Sequence, residues 1–164
     1  MVIVVMGVSG CGKSLVGKTL ADGMRWDFQD GDDLHPPANL EKMRTGRPLD
    51  DLDRDPWLDR VAAWISEKHR QHQSGVIACS ALKRRYRDRL REGDGALRLV
   101  FLDVPQEVLR CRLEHRQHFM PPQLLKSQLD ALERPAPDEQ VLALVGNPSL
   151  AETVDTVLCW LSGD

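Results

Sequence analysis

Residues 7–14 read Gly-Val-Ser-Gly-Cys-Gly-Lys-Ser, a G-x-x-x-x-G-K-S pattern. Its three glycines let a backbone turn successive N–H groups inward as an anion cradle. A helix opening at Lys13 adds the positive end of its dipole. The anion that suits such a loop is a nucleotide phosphate chain. Gly7, Val8, Ser9, Gly10, Cys11 and Gly12 would wrap it, Lys13 would reach the β- and γ-phosphates, and the Ser14 hydroxyl would ligate Mg²⁺. The chemistry expected is nucleotide binding.

The rest of the chain narrows the kind of nucleotide protein. No N-K-x-D segment is present to read guanine. The third apolar run ends Ala78-Cys79-Ser80, so the strand-terminal Asp of motor and transporter ATPases is missing from its usual place. Asp103 ends the fourth run and is read as a polar lead into the following helix. The acidic turn Asp30-Gly31-Asp32-Asp33-Leu34-His35 is the better carboxylate source. Phosphoryl transfer to an alcohol needs a carboxylate for the hydroxyl proton and another group to help place Mg²⁺. Two aspartates one residue apart can divide those tasks.

These groups need a scaffold that gathers them at one sheet edge. Short apolar runs alternate with helical patterns, which predicts a parallel sheet covered by helices. Strands are expected at residues 2–6, 26–29, 76–79, 97–104 and 141–145. Helices are expected at 13–22 (ended by Gly23), 37–45, 81–92, 105–116 and 123–132, with a break at 117–122. A further helix is read with Asp55 as N-cap and Pro56 first. Ser149 and Glu152 form a capping-box pair for the last one. No linker divides the chain, so residues 1–164 form a single domain.

With these motifs in place, the sequence resembles the gluconokinases, small-molecule P-loop kinases related to shikimate kinase. The resemblance rests on residues 7–14, Asp30-Gly31-Asp32 with Leu34-His35-Pro36, and Asn39 with Glu41-Lys42-Met43. It continues through Gly46, Pro48-Leu49, Asp53-Arg54, Pro56-Trp57-Leu58, Cys79-Ser80-Ala81-Leu82-Lys83, Tyr86-Arg87-Asp88, His118-Phe119 and Glu133 to Pro135. It implies a nucleoside-monophosphate-kinase-like three-layer α/β/α fold with a five-stranded parallel sheet. It also implies a short helical lid at about 112–132, ATP with Mg²⁺, a homodimer, and phosphorylation of D-gluconate to 6-phospho-D-gluconate.

On that reading the γ-phosphoryl group passes in line to the 6-hydroxyl. Asp32 serves the hydroxyl, Asp30 joins Ser14 in the magnesium shell, and Lys13 holds the phosphates. Gluconate carries one carboxylate and needs fixed cations. Lys83 and Arg87, four apart on a basic helix, are expected to face it, with Arg54 and Arg44 as further cations and His35 on a hydroxyl. Arg116 would stabilise the transferring phosphoryl group and Arg112 the adenine. Residues 146–149 would line the adenine side. Another small acid or polyol, such as shikimate, and a regulatory module with little turnover are the competing readings.

Composition agrees by exclusion. In 164 residues, 22 Lys+Arg stand against 25 Asp+Glu, a net charge of −3 without the basic excess of a nucleic-acid binder. No apolar run nears the ~20 residues of a membrane span. The start MVIVVMG has no basic region, so no signal peptide is expected. The total hides a bipolar layout. Residues 27–59 hold ten acids and four bases, and residues 83–91 six bases and one acid. The four cysteines form no C-x-x-C pair, which fits a reducing cytoplasm. Cys79, Cys111 and Cys159 are expected to be buried. Cys11, beside a helix N-terminus and Lys13, is expected to be an activated thiol whose oxidation or alkylation blocks ATP binding.

Overall fold

A computed structural model describes residues 1–92, 97–114 and 123–163. Five parallel strands, β1 (Val2–Met6), β2 (Asp27–Asp30), β3 (Gly75–Ala78), β4 (Leu97–Asp103) and β5 (Leu142–Val145), lie in the order β2-β3-β1-β4-β5. The central β1 is fully buried, and its alternating residues enter two separate cores. Val2, Val4 and Met6 pack with Trp57, Leu58, Val61, Ile65, Tyr86 and Leu90. Ile3 and Val5 pack on the other face with Val16, Leu20, Leu109 and Val157. A strand covered on both faces has no polar side to show, hence its unbroken apolar run.

The helices supply the outer layers. α1 (Lys13–Met24), α5 (Gln106–Glu114), α6 (Gln123–Ala131) and α7 (Leu150–Ser162) share one side of the sheet. α3 (Asp51–Arg70) and α4 (Arg84–Arg91) cover the other. α2 (Pro37–Arg44) follows a 3₁₀ turn at Gly31–Leu34. The α/β/α architecture expected from the sequence is the one found.

Within the described residues, three boundaries differ from expectation by more than one residue. α1 runs through Gly23 and closes at Arg25, whose left-handed backbone sends its N–H to the last-turn carbonyls of Ala21 and Asp22. α3 starts a turn before the Asp55-Pro56 pair, because Asp50 and Asp53 form a complete capping box, leaving Pro56 inside the helix. α4 starts only at Arg84, with Lys83 as its extended N-cap.

Candidate active site

The loop joining β1 to α1 bends back under its glycines. Gly10 and Gly12 hold φ of +84° and +101°, values that side chains other than glycine's rarely allow. Gly12 caps α1 without any side-chain bond, so the first N–H groups of the helix stay available to an anion. The Lys13 ammonium lies over the loop, donating to the Val8 carbonyl at 3.1 Å.

The acidic turn meets this loop. Ser14 Oγ donates to Asp30 Oδ2 at 2.5 Å, and Asp30 Oδ1 accepts the Asp32 N–H at 3.0 Å, so one carboxylate joins α1 to the turn. A hydroxyl and a carboxylate side by side are the hard oxygen donors that Mg²⁺ prefers. Gly31 between the aspartates is required by space. A Cβ there would lie 2.4 Å from the Ala78 carbonyl oxygen.

Two clefts flank the loop. On one side a cleft of about 510 Å³ is lined by Ser9, Lys13, Asp32, His35, Met43, Pro48, Leu49, Arg54, Trp57, Ser80, Leu124, Ser127 and Gln128. Polar groups converge on it from the segment after β3, from α3, from α6 and from the acidic turn. His35 is buried and stacks on Trp57, centroids 4.5 Å apart and planes 11° apart. The Trp57 indole N–H donates to the Gly31 carbonyl at 2.7 Å, which fixes the stack to the turn. Burial, and then the Arg54 charge, lower the His35 pKa to about 4, so its imidazole is neutral at pH 7. Arg54 is only 9% exposed, with its guanidinium 5.9 Å from the centre of the Tyr86 ring.

The other cleft is larger, about 660 Å³, and more apolar: Cys11, Leu15, Val16, Leu102, Val104, Leu144, Pro148 and Leu150 line it with Gly12, Arg112, Gly146, Asn147 and Thr153. Arg112 spans its mouth. One guanidinium nitrogen donates to the carbonyls of Gly10 (3.1 Å) and Cys11 (3.2 Å), the other to Asn147 Oδ1 (2.6 Å).

Several expectations need correction. Arg87 does not face a cleft: its side chain is wholly buried, paired with Glu139 through Nε (2.6 Å) and Nη2 (2.9 Å). Its third nitrogen donates to the carbonyls of Ala81, Leu82 and Glu133. Lys83 precedes the helix rather than lying within it, so the i, i+4 geometry with Arg87 does not arise. Its ammonium holds both oxygens of Asp51 at 2.9 and 3.1 Å. Hydrogen bonds from Tyr86 and then Lys83 lower the Asp51 pKa to about 2. Arg44 is spent on Glu41 at the surface. Asp103 ends β4 as expected, and pairs with Arg134 at 2.8 Å. Cys11 is 4% exposed, with its sulfur tucked against Gly7, whereas Cys111 and Cys159, expected inside, are exposed. Cys79 is buried as expected, and burial pushes its pKa up to about 12. Arg116 and the break at 117–122 lie outside the described residues.

Three further residues belong here: Gln128, which the sequence reading misses, and Ser80 and Asn39, which it uses for the resemblance without giving them a role. Gln128 on α6 accepts the Ser9 N–H at 2.6 Å, and Ser80 lines the cleft beside Lys13. Asn39 is buried against His35 and Asp53. A serine directly after a buried strand is a usable signal, and so is the spacing of Asn39 four residues after His35; nothing local marks Gln128.

Known proteins share this arrangement. The family model for shikimate kinase matches residues 9–142. A gluconokinase from Gluconobacter oxydans is 50% identical over 145 residues, covering 88% of this chain and 82% of the relative. Among solved structures, a sugar kinase from Janibacter superposes with a TM-score of 0.93 at 42% identity, covering 98% of this chain and 94% of that one. A gluconokinase from Sinorhizobium meliloti gives 0.84 at 46% identity, covering 98% and 90%. Similarity of this extent, spanning the phosphate loop, the acidic turn and both clefts, settles the family: the chain belongs to the gluconokinases, P-loop kinases related to shikimate kinase.

Proposed function

We propose that the chain transfers the γ-phosphoryl group of ATP to the 6-hydroxyl of D-gluconate, giving 6-phospho-D-gluconate and ADP. The observation that carries this reading is the position of the phosphate loop between an apolar cleft crossed by Arg112 and a polar cleft holding Asp32, His35 and Arg54. The first suits adenine, the second a small anionic polyol. The relatives named gluconokinase supply the identity of that polyol.

The residues divide the work as follows. The N–H groups of the loop and Lys13 hold the β- and γ-phosphates. Asp32 takes the hydroxyl proton as the hydroxyl oxygen bonds to the γ-phosphorus and the bond to the β–γ bridging oxygen breaks. Arg54 is the cation in the acceptor cleft that suits the gluconate carboxylate. Ser14 and Asp30 offer the oxygen donors for Mg²⁺, which when bound neutralises charge on the phosphates. Gln128 and Ser80 complete the wall of the acceptor cleft. The chain's near-neutral charge and lack, among the described residues, of a helix able to cross a membrane suit an enzyme acting on a small cytoplasmic metabolite.

A coupled assay with ATP, Mg²⁺ and D-gluconate tests the reading, beside a panel of other sugar acids and shikimate. D-Gluconate is expected to be the preferred acceptor. ADP release with another acid and none with gluconate would overturn it. Asp32→Asn is expected to cut kcat by ~10²–10⁴ with ATP binding retained.

A further inference from the structure

Asn39 and His35 lie side by side under the acceptor cleft, and their hydrogen bonds identify each other's atoms. One side-chain atom of Asn39 sits 2.7 Å from the Asp53 carbonyl oxygen and 3.3 Å from His35 Nδ1. A carbonyl oxygen only accepts, so that atom is the amide nitrogen, and an amide nitrogen only donates. His35 Nδ1 must therefore accept. A neutral imidazole with its lone pair on Nδ1 carries its hydrogen on Nε2.

Nε2 looks toward Asp32, 4.0 Å from Oδ1. That gap is too long for a direct hydrogen bond, yet a hydroxyl oxygen about 2.8 Å from each atom fits between them. The ring has little freedom to turn away. Trp57 stacks on its face and is itself held by Gly31. Asn39 is held as firmly, buried and with its backbone N–H on the Pro36 carbonyl at 2.9 Å. Asp53, whose carbonyl orients Asn39, is fixed through Lys42 at 2.5 Å and the Asp50 capping box.

We propose that Asn39 locks His35 in its Nε2–H tautomer, so that His35 and Asp32 together grip the acceptor hydroxyl. This rests on the reading of the cleft as the gluconate side. The hydroxyl gives its hydrogen to Asp32 and accepts the Nε2–H in one lone pair. Its second lone pair is left to point at the γ-phosphorus. The grip thus sets the direction of attack as well as the proton's destination, a gain in orientation rather than in basicity. His35 touches the reacting group; Asn39 is a positioning residue that acts through it.

The ring nitrogens of His35 report the tautomer directly in ¹⁵N-resolved NMR spectra, with the signals assigned by their loss in His35→Gln. The expected pattern near pH 7.5 is a protonated Nε2 and a bare Nδ1, with the Nε2 signal moving as gluconate is added. A protonated Nδ1 in the wild-type protein would overturn the proposal, and this readout requires no variant of Asn39 to fold. Asn39→Leu is expected to lower kcat about tenfold and leave the KM for ATP unchanged. In His35→Gln, whose side-chain amide supplies its own N–H, the same change is expected to cost less than about twofold. A tenfold loss in both backgrounds would mean that Asn39 acts through packing alone, against the proposal. A correct tautomer in a protein that phosphorylates some other acid would sink the gluconate reading while upholding the lock.

Discussion

Ser14 Oγ donates to Asp30 Oδ2 at 2.5 Å, binding the first turn of α1 to the end of β2. The other Asp30 oxygen caps the following 3₁₀ turn through the Asp32 N–H. Asn at position 30 can still cap with its carbonyl oxygen but carries no charge. Asp30→Asn is therefore expected to fold normally and to need about 10- to 100-fold more Mg²⁺ for half-maximal rate. Magnesium titrations of initial rate, with circular dichroism as the folding control, check this.

Arg87 and Glu139 are the chain's most deeply buried ion pair among the described residues. Arg87 holds the Glu139 carboxyl below the usual carboxylate range. Removing one partner strands the other charge in the core. Glu139→Gln is expected to cost about 3–5 kcal/mol in urea unfolding. The KM for gluconate of the folded fraction is expected not to change, in contrast to what a substrate-binding Arg87 would produce.

Arg54 is the cation whose loss should read out in acceptor binding. Arg54→Gln is expected to raise the KM for gluconate about 10- to 100-fold, the worth of a hydrogen-bonded charge, with the KM for ATP little moved. Steady-state kinetics with each substrate varied in turn separate the two.

The neutral His35 makes stability depend on pH. Its pKa drops from 6.5 to about 4 on folding, so between those values the unfolded chain binds the extra proton. The stability is intact above pH 6.5 and falls as pH drops toward 4, by up to about 3 kcal/mol. Urea unfolding at pH 7 and pH 4.5 is expected to show a smaller acid loss in His35→Gln than in the wild type.

The legible parts of the molecule were those whose cause is local. The buried β1, the phosphate loop and the start of α1 form one contiguous pattern, and the Ser149–Glu152 capping box lies within four residues. Where two local signals compete, the more conspicuous one misleads. Asp55-Pro56 reads as a helix start, but the Asp50–Asp53 box satisfies two backbone donors and wins. The Pro56 ring then forfeits only the bond to the carbonyl of Leu52, a residue 80% exposed. The basic run at 83–91 announced cations without saying which would reach a ligand. That choice was made by Glu139, Asp51 and Asp138, each at least 32 residues away along the chain. Gln128 likewise acts through Ser9, 119 residues away, whereas Asn39 bonds His35 only four residues before it.

The acceptor cleft draws Asp32, His35, Met43, Pro48, Leu49, Arg54 and Trp57 from the single stretch that follows β2, while the nucleotide cleft takes nothing from it. The lining of this cleft is thus concentrated in one insert between two strands and is closed by side chains from the phosphate loop, the segment after β3 and α6. Exchange of that segment would change seven lining residues of the cleft at once and leave Ser80, Leu124, Ser127 and Gln128, together with the whole of the other cleft, in place.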